Sequence, residues 1–90
     1  MLAERRDSEQ AMPRYRIHMI NSEFQSSQED DFPSVEHALR TGVLAAANIA
    51  SEQVAMGEAN AAIEIRVEKD DQVLARRIVT FSISDLAIGE

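Results

Sequence analysis

Two histidines, two short carboxylate clusters and a set of arginines are the residues of this 90-residue chain with types suited to chemistry. His18 lies in Arg14-Tyr15-Arg16-Ile17-His18, in phase with Arg14 and Arg16. A general acid or base there needs a partner within hydrogen-bond reach. Glu64 or Glu68 could supply a carboxylate, but no spacing requires it. No catalytic residue is therefore assigned, and His18 reads as a surface, interface or ligand histidine. His37 falls in the first turn of a helix, on its exposed side. Glu29-Asp30-Asp31 lacks the spacing and central glycine of a calcium loop. It reads as acidic residues ahead of a helix N-terminus, where the dipole favours negative charge. Asp70-Asp71 reads as turn chemistry.

Other chemistries lack their residues. The chain has no cysteine, hence no disulfide, thiolate zinc site or cysteine nucleophile. Gly42, Gly57 and Gly89 are isolated, so no glycine-rich phosphate loop exists. No serine sits in a nucleophile elbow. No metal site and no cofactor are assigned.

The elements that would position these residues follow from periodicity. Tyr15, Ile17 and Met19 alternate with Arg14, Arg16 and His18, the pattern of a half-buried strand. Asn21-Ser22 is a turn, and Phe24 to Ser27 is a short second strand. Ser34 is the N-cap of a helix. Val35, Leu39, Val43, Ala46, Ala50 and Val54 form its stripe. Gly57 ends it as a C-terminal cap, giving about 22 residues and roughly 33 Å. Ile63, Ile65 and Val67 alternate with Glu64, Arg66 and Glu68. Val73, Ala75, Val79, Phe81 and Ile83 alternate again, interrupted by Arg77. These last two strands form a hairpin through Lys69-Asp70-Asp71-Gln72. Ser84-Asp85-Leu86 begins a final helical turn. The expected fold is α+β in β-β-α-β-β order: an antiparallel sheet of three to four strands with one long helix on one face. Residues 12–88 form a single domain, and residues 1–11 a disordered extension, with Met12 a candidate translation start.

One helix covers one face of a sheet. By alternation the open face carries Arg14, Arg16, His18, Ile20, Arg66, Leu74, Arg76 and Ile78, along with Glu64, Glu68 and Thr80. Ile20, Leu74 and Ile78 are expected to form an apolar centre with an arginine rim, a pattern suited to a protein interface. Paired glutamates and arginines on a solvated face are the plainer reading.

Sixteen acids against nine bases give a net charge of -7, which repels phosphate and disfavours nucleic acid. No apolar run approaches the roughly 20 residues of a membrane span, and residues 1–11 have no apolar signal region. A cytoplasmic, non-enzymatic domain is expected. Its small alanine-rich core makes a partner plausible, either a protein or a second copy in a homodimer.

Met12-Pro13-Arg14-Tyr15-Arg16-Ile17-His18 resembles the M-x-R-Y-x-x-H start of a family of short uncharacterised alphaproteobacterial, largely rhizobial, proteins. Phe32-Pro33-Ser34-Val35-Glu36-His37-Ala38-Leu39 is similar to that family's lead into an alanine-rich helix. Ile65-Arg66-Val67-Glu68 through Val79-Thr80-Phe81 resembles its final hairpin. The resemblance spans residues 12–86 and departs at two turns that lack glycine, at Glu29-Asp30-Asp31 and Asp70-Asp71-Gln72. It implies a bacterial cytoplasmic protein and transfers no catalytic residue. Residues 32–38 also resemble antitoxin domains of the HicB type, which would imply a basic protein partner. A small ligand or anion on the open face is a further alternative.

Overall fold

The computed structural model describes residues 12–88; the extension expected over residues 1–11 lies outside them. The elements run β1 (Arg14–Ile20), β2 (Gln25–Asp31), α1 (Val35–Ala55), β3 (Asn60–Lys69) and β4 (Gln72–Ser82). The sheet has four antiparallel strands in the order β2-β1-β3-β4. The α+β architecture and the β-β-α-β-β order match the periodicity. Among the described residues no helix is long and apolar enough to cross a membrane.

The core lies between α1 and β1, β3 and β4. Ile63, Ile65 and Val67 are fully buried, beside Tyr15 and Ile17. The helix faces them with Ala38, Gly42, Ala46, Ala50 and Val54. Such small residues let the helix lie close on the sheet. At Gly42 a Cβ would stand 2.9 Å from Ile65 Cγ2 and 3.1 Å from Ile17 Cγ2. A side chain there drives β-branched, rotamer-restricted neighbours out of place.

The caps follow local chemistry. Ser34 Oγ accepts a hydrogen bond from His37 N–H, satisfying one of the free amides at the helix start. At the other end Glu58 N–H donates to Gln53 C=O and Gly57 N–H to Val54 C=O. Gly57 has φ +120°. This is a Schellman motif, and the left-handed residue it needs is the glycine expected there.

Three local expectations are corrected. Glu29-Asp30-Asp31 does not stand before the helix: it is the second half of β2. The cause lies across the ladder, where Arg16 opposes Glu29 and Arg14 opposes Asp31. Opposite charges on facing residues hold a strand that has no apolar alternation. Second, the β3–β4 register shifts between Val67 and Glu68, so that Val67 opposes Ala75 but Glu68 opposes Val73. A β-bulge there moves Val73 off the helix-covered phase to the side of Glu68. Third, residues 83–88 carry no regular structure. Leu86 and Ile88 are more than four-fifths exposed, and a short helical turn with no surface to pack on is not stable.

Both hairpins have defined turns. Asn21 Oδ1 accepts hydrogen bonds from the backbone N–H groups of Glu23 and Phe24 at 2.8 and 2.9 Å, an Asx turn joining β1 to β2. Asp70 and Asp71 join β3 to β4 with φ of 52° and 65°. Two consecutive left-handed residues match the twist of a tight hairpin, and Asp tolerates that region better than most side chains.

Candidate functional site

The open face can be read row by row from the registers, because directly opposed residues share a face. The middle row runs Ser27, His18, Arg66, Arg76 across β2, β1, β3 and β4. On one side lie Glu29, Arg16 and Glu68, then the bulge with Val73 and Leu74. On the other lie Gln25, Ile20, Glu64 and Ile78. Arg14 stands at the corner opposite Asp31, with Nε 3.7 Å from its carboxylate. All eight residues expected on this face are there.

Their arrangement corrects the expected apolar centre. Ile20 and Ile78 are separated by Glu64 on β3, and Leu74 lies near the bulge, on the far side of the middle row. The centre of the face is charged, and its exposed apolar side chains sit on β4. Leu74 and Ile78 are 48% and 66% exposed. Periodicity assigned the face; it could not assign the strand order that decides which residues adjoin.

Two polar clusters fill the centre. In one, Glu64 Oε2 accepts hydrogen bonds from Arg66 Nε at 2.8 Å and Arg76 Nε at 2.9 Å. These bonds, that from Arg66 foremost, hold the Glu64 carboxyl below the usual carboxylate range, and the same bond raises Arg66. The shared carboxylate also explains how Arg66 and Arg76 tolerate standing directly opposite each other. In the other cluster His18 is bracketed. Its Nε2 lies 3.1 Å from Glu68 Oε1 and its Nδ1 2.7 Å from Ser27 Oγ. An ionised carboxylate only accepts, so Nε2 carries the hydrogen; in the neutral ring Nδ1 accepts from the Ser27 hydroxyl.

That sequence of hydroxyl, imidazole and carboxylate is the order of a nucleophile, its base and an orienting group. Acyl transfer also needs a seat for the reacting carbonyl and donors for its oxyanion. The polar hollow nearest the cluster, about 220 Å³, is lined by Arg14, Arg16, Glu29, Glu68, Lys69, Asp70 and Asp71. Neither Ser27 nor His18 lines it. Its four carboxylates outnumber its three cations, which suits no anion. The His18 bonds tie β2, β1 and β3 together, and that is the role the geometry supports.

Among the described residues no group of three or more His, Asp or Glu is placed to hold a metal. His37 is exposed and bonded to its own helix cap, with Nδ1 2.9 Å from Ser34 Oγ. Gln25, Ser27, Glu29 and Asp31 are the β2 residues of this face that the sequence reading missed. Their signal was an alternation of polar residues only, meaningful once paired with Arg14, Arg16 and His18. No family model, curated protein or solved structure matches the chain.

Proposed function

We propose that this domain is a non-enzymatic protein-interaction module whose contact surface is β4 with the adjoining open face. The observation that carries the reading is where exposed apolar surface lies. Among the described residues ten large apolar side chains are exposed; seven of them, Val73, Leu74, Ile78, Phe81, Ile83, Leu86 and Ile88, belong to β4 or the segment after it. Apolar surface gathered at one edge marks an interaction site, whereas scattered apolar residues do not. Arg76 and Arg77 stand within it, and arginine is enriched in protein interfaces.

The rest of the open face supports the same division. Its carboxylates are already paired with guanidiniums or with His18, so it offers a closed polar surround to an apolar margin. Affinity capture from extracts of the native host, with wild-type protein and Ile78→Glu as baits, tests the reading. Wild type should retain at least one protein, this chain included, that Ile78→Glu loses. Identical captures by the two baits would remove β4 as the contact surface.

A further inference from the structure

We propose that a second copy of the chain pairs antiparallel along β4, about a two-fold axis at Val79, so that two sheets join as one of eight strands. This rests on the protein-binding reading and names the partner.

The backbone supplies the first argument. Ile83 N–H donates to Ala59 C=O at 3.2 Å, continuing the register in which Asn60 opposes Ser82. In an antiparallel ladder the N–H and C=O of one residue point to the same side, and successive residues alternate. Phe81, Val79 and Arg77 therefore bond toward β3. Arg76, Ile78, Thr80 and Ser82 turn their N–H and C=O groups outward, and β4 is the last strand of the sheet. Edges of this kind are normally blunted by proline, lysine or inward charge. From Ala75 to Ser82 there is no proline, lysine or acid. The one guard is Arg77, whose Nη1 donates to the outward Arg76 C=O at 2.9 Å. It must turn aside for a second strand, while Ile78, Thr80 and Ser82 need no such rearrangement. The bulge opposite Glu68 disturbs only the start of the strand.

Charge and apolar cover together select the axis. A two-fold at Arg76 or Arg77 would set arginines of the two copies against each other, and one at Ile78 would put Phe81 opposite Ala75 rather than Arg77. At Val79, Ile78 opposes Thr80 of the second copy, and Arg76 opposes its Ser82. On the helix side Arg77 meets Phe81, a cation–π pairing, and Ala75 meets Ile83. Both pairings cover side chains that are exposed in one copy, with Phe81 40% and Ile83 58% exposed. The net charge of -7 is offset at this edge by Arg76 and Arg77, and Glu64, the acid directly across the ladder from Ile78, is bonded to Arg66 and Arg76. The acids of β2 lie three strand spacings away, about 14 Å, beyond the roughly 8 Å screening length of physiological salt. Pairing of β4 with β2 of another copy fits less well. The β2 acids on the open face already engage Arg14 and Arg16, and β2 has no apolar side chain to cover Phe81 or Ile83.

The absence of native cysteine makes the test direct. Single variants Val79→Cys, Ala75→Cys and Ser27→Cys of the full chain are oxidised mildly and run without reductant. Facing residues on the axis lie about 4.5 Å apart at Cα, within disulfide range. Only Val79→Cys should cross-link in high yield. Light scattering of the cysteine-free chain should show the mass rising to twice that of the monomer and stopping there. Thr80→Pro removes an outward N–H and no bond to β3, so it should hold the mass at the monomer value with an unchanged circular dichroism spectrum. If Thr80→Pro does not fold, the cross-linking pattern still decides. A monomer at every concentration, equal cross-linking at all three positions, or growth beyond a dimer would each overturn self-pairing. A monomer that still captures a different protein through Ile78 would leave the interaction reading standing while removing this one.

Discussion

The two edge strands of this sheet have been built to opposite specifications. β2 is exposed at every residue, carries Glu29, Asp30 and Asp31, and lacks the helix contact that β1, β3 and β4 share. β4 is packed under α1 through Ala75 and Val79 and presents apolar side chains and two arginines at its margin. An acidic edge repels a second acidic strand and stays in water. The β4 edge carries no acid between Ala75 and Ser82; its charge is the pair Arg76 and Arg77, and Arg77 Nη1 donates to Arg76 C=O. The difference teaches that one edge is held by charge and the other by burial.

The largest test of that contrast places the same charge on the helix side of each edge. Val79→Asp sets a carboxylate against Ile63 and the helix and should cost about 2–3 kcal/mol, read as a lower denaturant midpoint. Gln28→Asp, in phase with Ile17 on β2, should stay within about 0.5 kcal/mol. Equal losses would mean that β2 is as buried as β4.

Charge reversal addresses β2 itself. Arg16→Glu sets three carboxylates in a row with Glu29 and Glu68 and should cost about 1 kcal/mol. Amide exchange should quicken in β2 and stay unchanged in β4. A uniform increase along the chain would show that the ion pairs stabilise the whole domain rather than the edge.

A smaller effect lies in the turn that aims β4. Asp70 and Asp71 both hold positive φ without glycine. Asp71→Gly should relieve backbone strain and repulsion between neighbouring carboxylates, adding about 0.5–1 kcal/mol and raising Tm by about 2–8 °C. A lower Tm would place the stabilising role in the aspartate itself.

The smallest effect is pH-dependent and belongs to the face between the edges. Arg66 and Arg76 depress the Glu64 carboxyl in the folded state. Its contribution is therefore complete above the usual carboxylate range and disappears as pH falls through the depressed folded value. Glu64→Gln should be less stable than wild type near neutrality and converge with it in acid. A constant gap at all pH values would show that the carboxylate charge is not what matters.

Where an element carried an apolar period, its residues were enough to find it. β1, α1, β3 and most of β4 were legible because Ile17, Ala46, Ile65 and Val79 each repeat with neighbours on one face. β2 was mostly illegible because Gln25 to Asp31 has no apolar residue; what makes it a strand is Arg14 and Arg16 on another segment. The bulge was hidden for a related reason. Alternation assumes constant register, so Val73 was assigned to the covered face when pairing with Glu68 puts it on the other. The candidate site shared this limit: its eight residues were assigned to the correct face, but their adjacency depends on β3 lying between β1 and β4. Ser27 became visible only through the imidazole it bonds.

The seat of α1 has a thermal consequence. Ala38, Gly42, Ala46 and Ala50 are four of the five buried positions on the helix, so close approach replaces bulk. Unfolding such a helix hydrates less apolar surface than unfolding one faced with leucine. The heat-capacity increment should fall below the usual 12–15 cal/mol/K per residue, roughly speaking. The stability of this domain should then vary little with temperature over a broad range, and its cold-denaturation limit should recede.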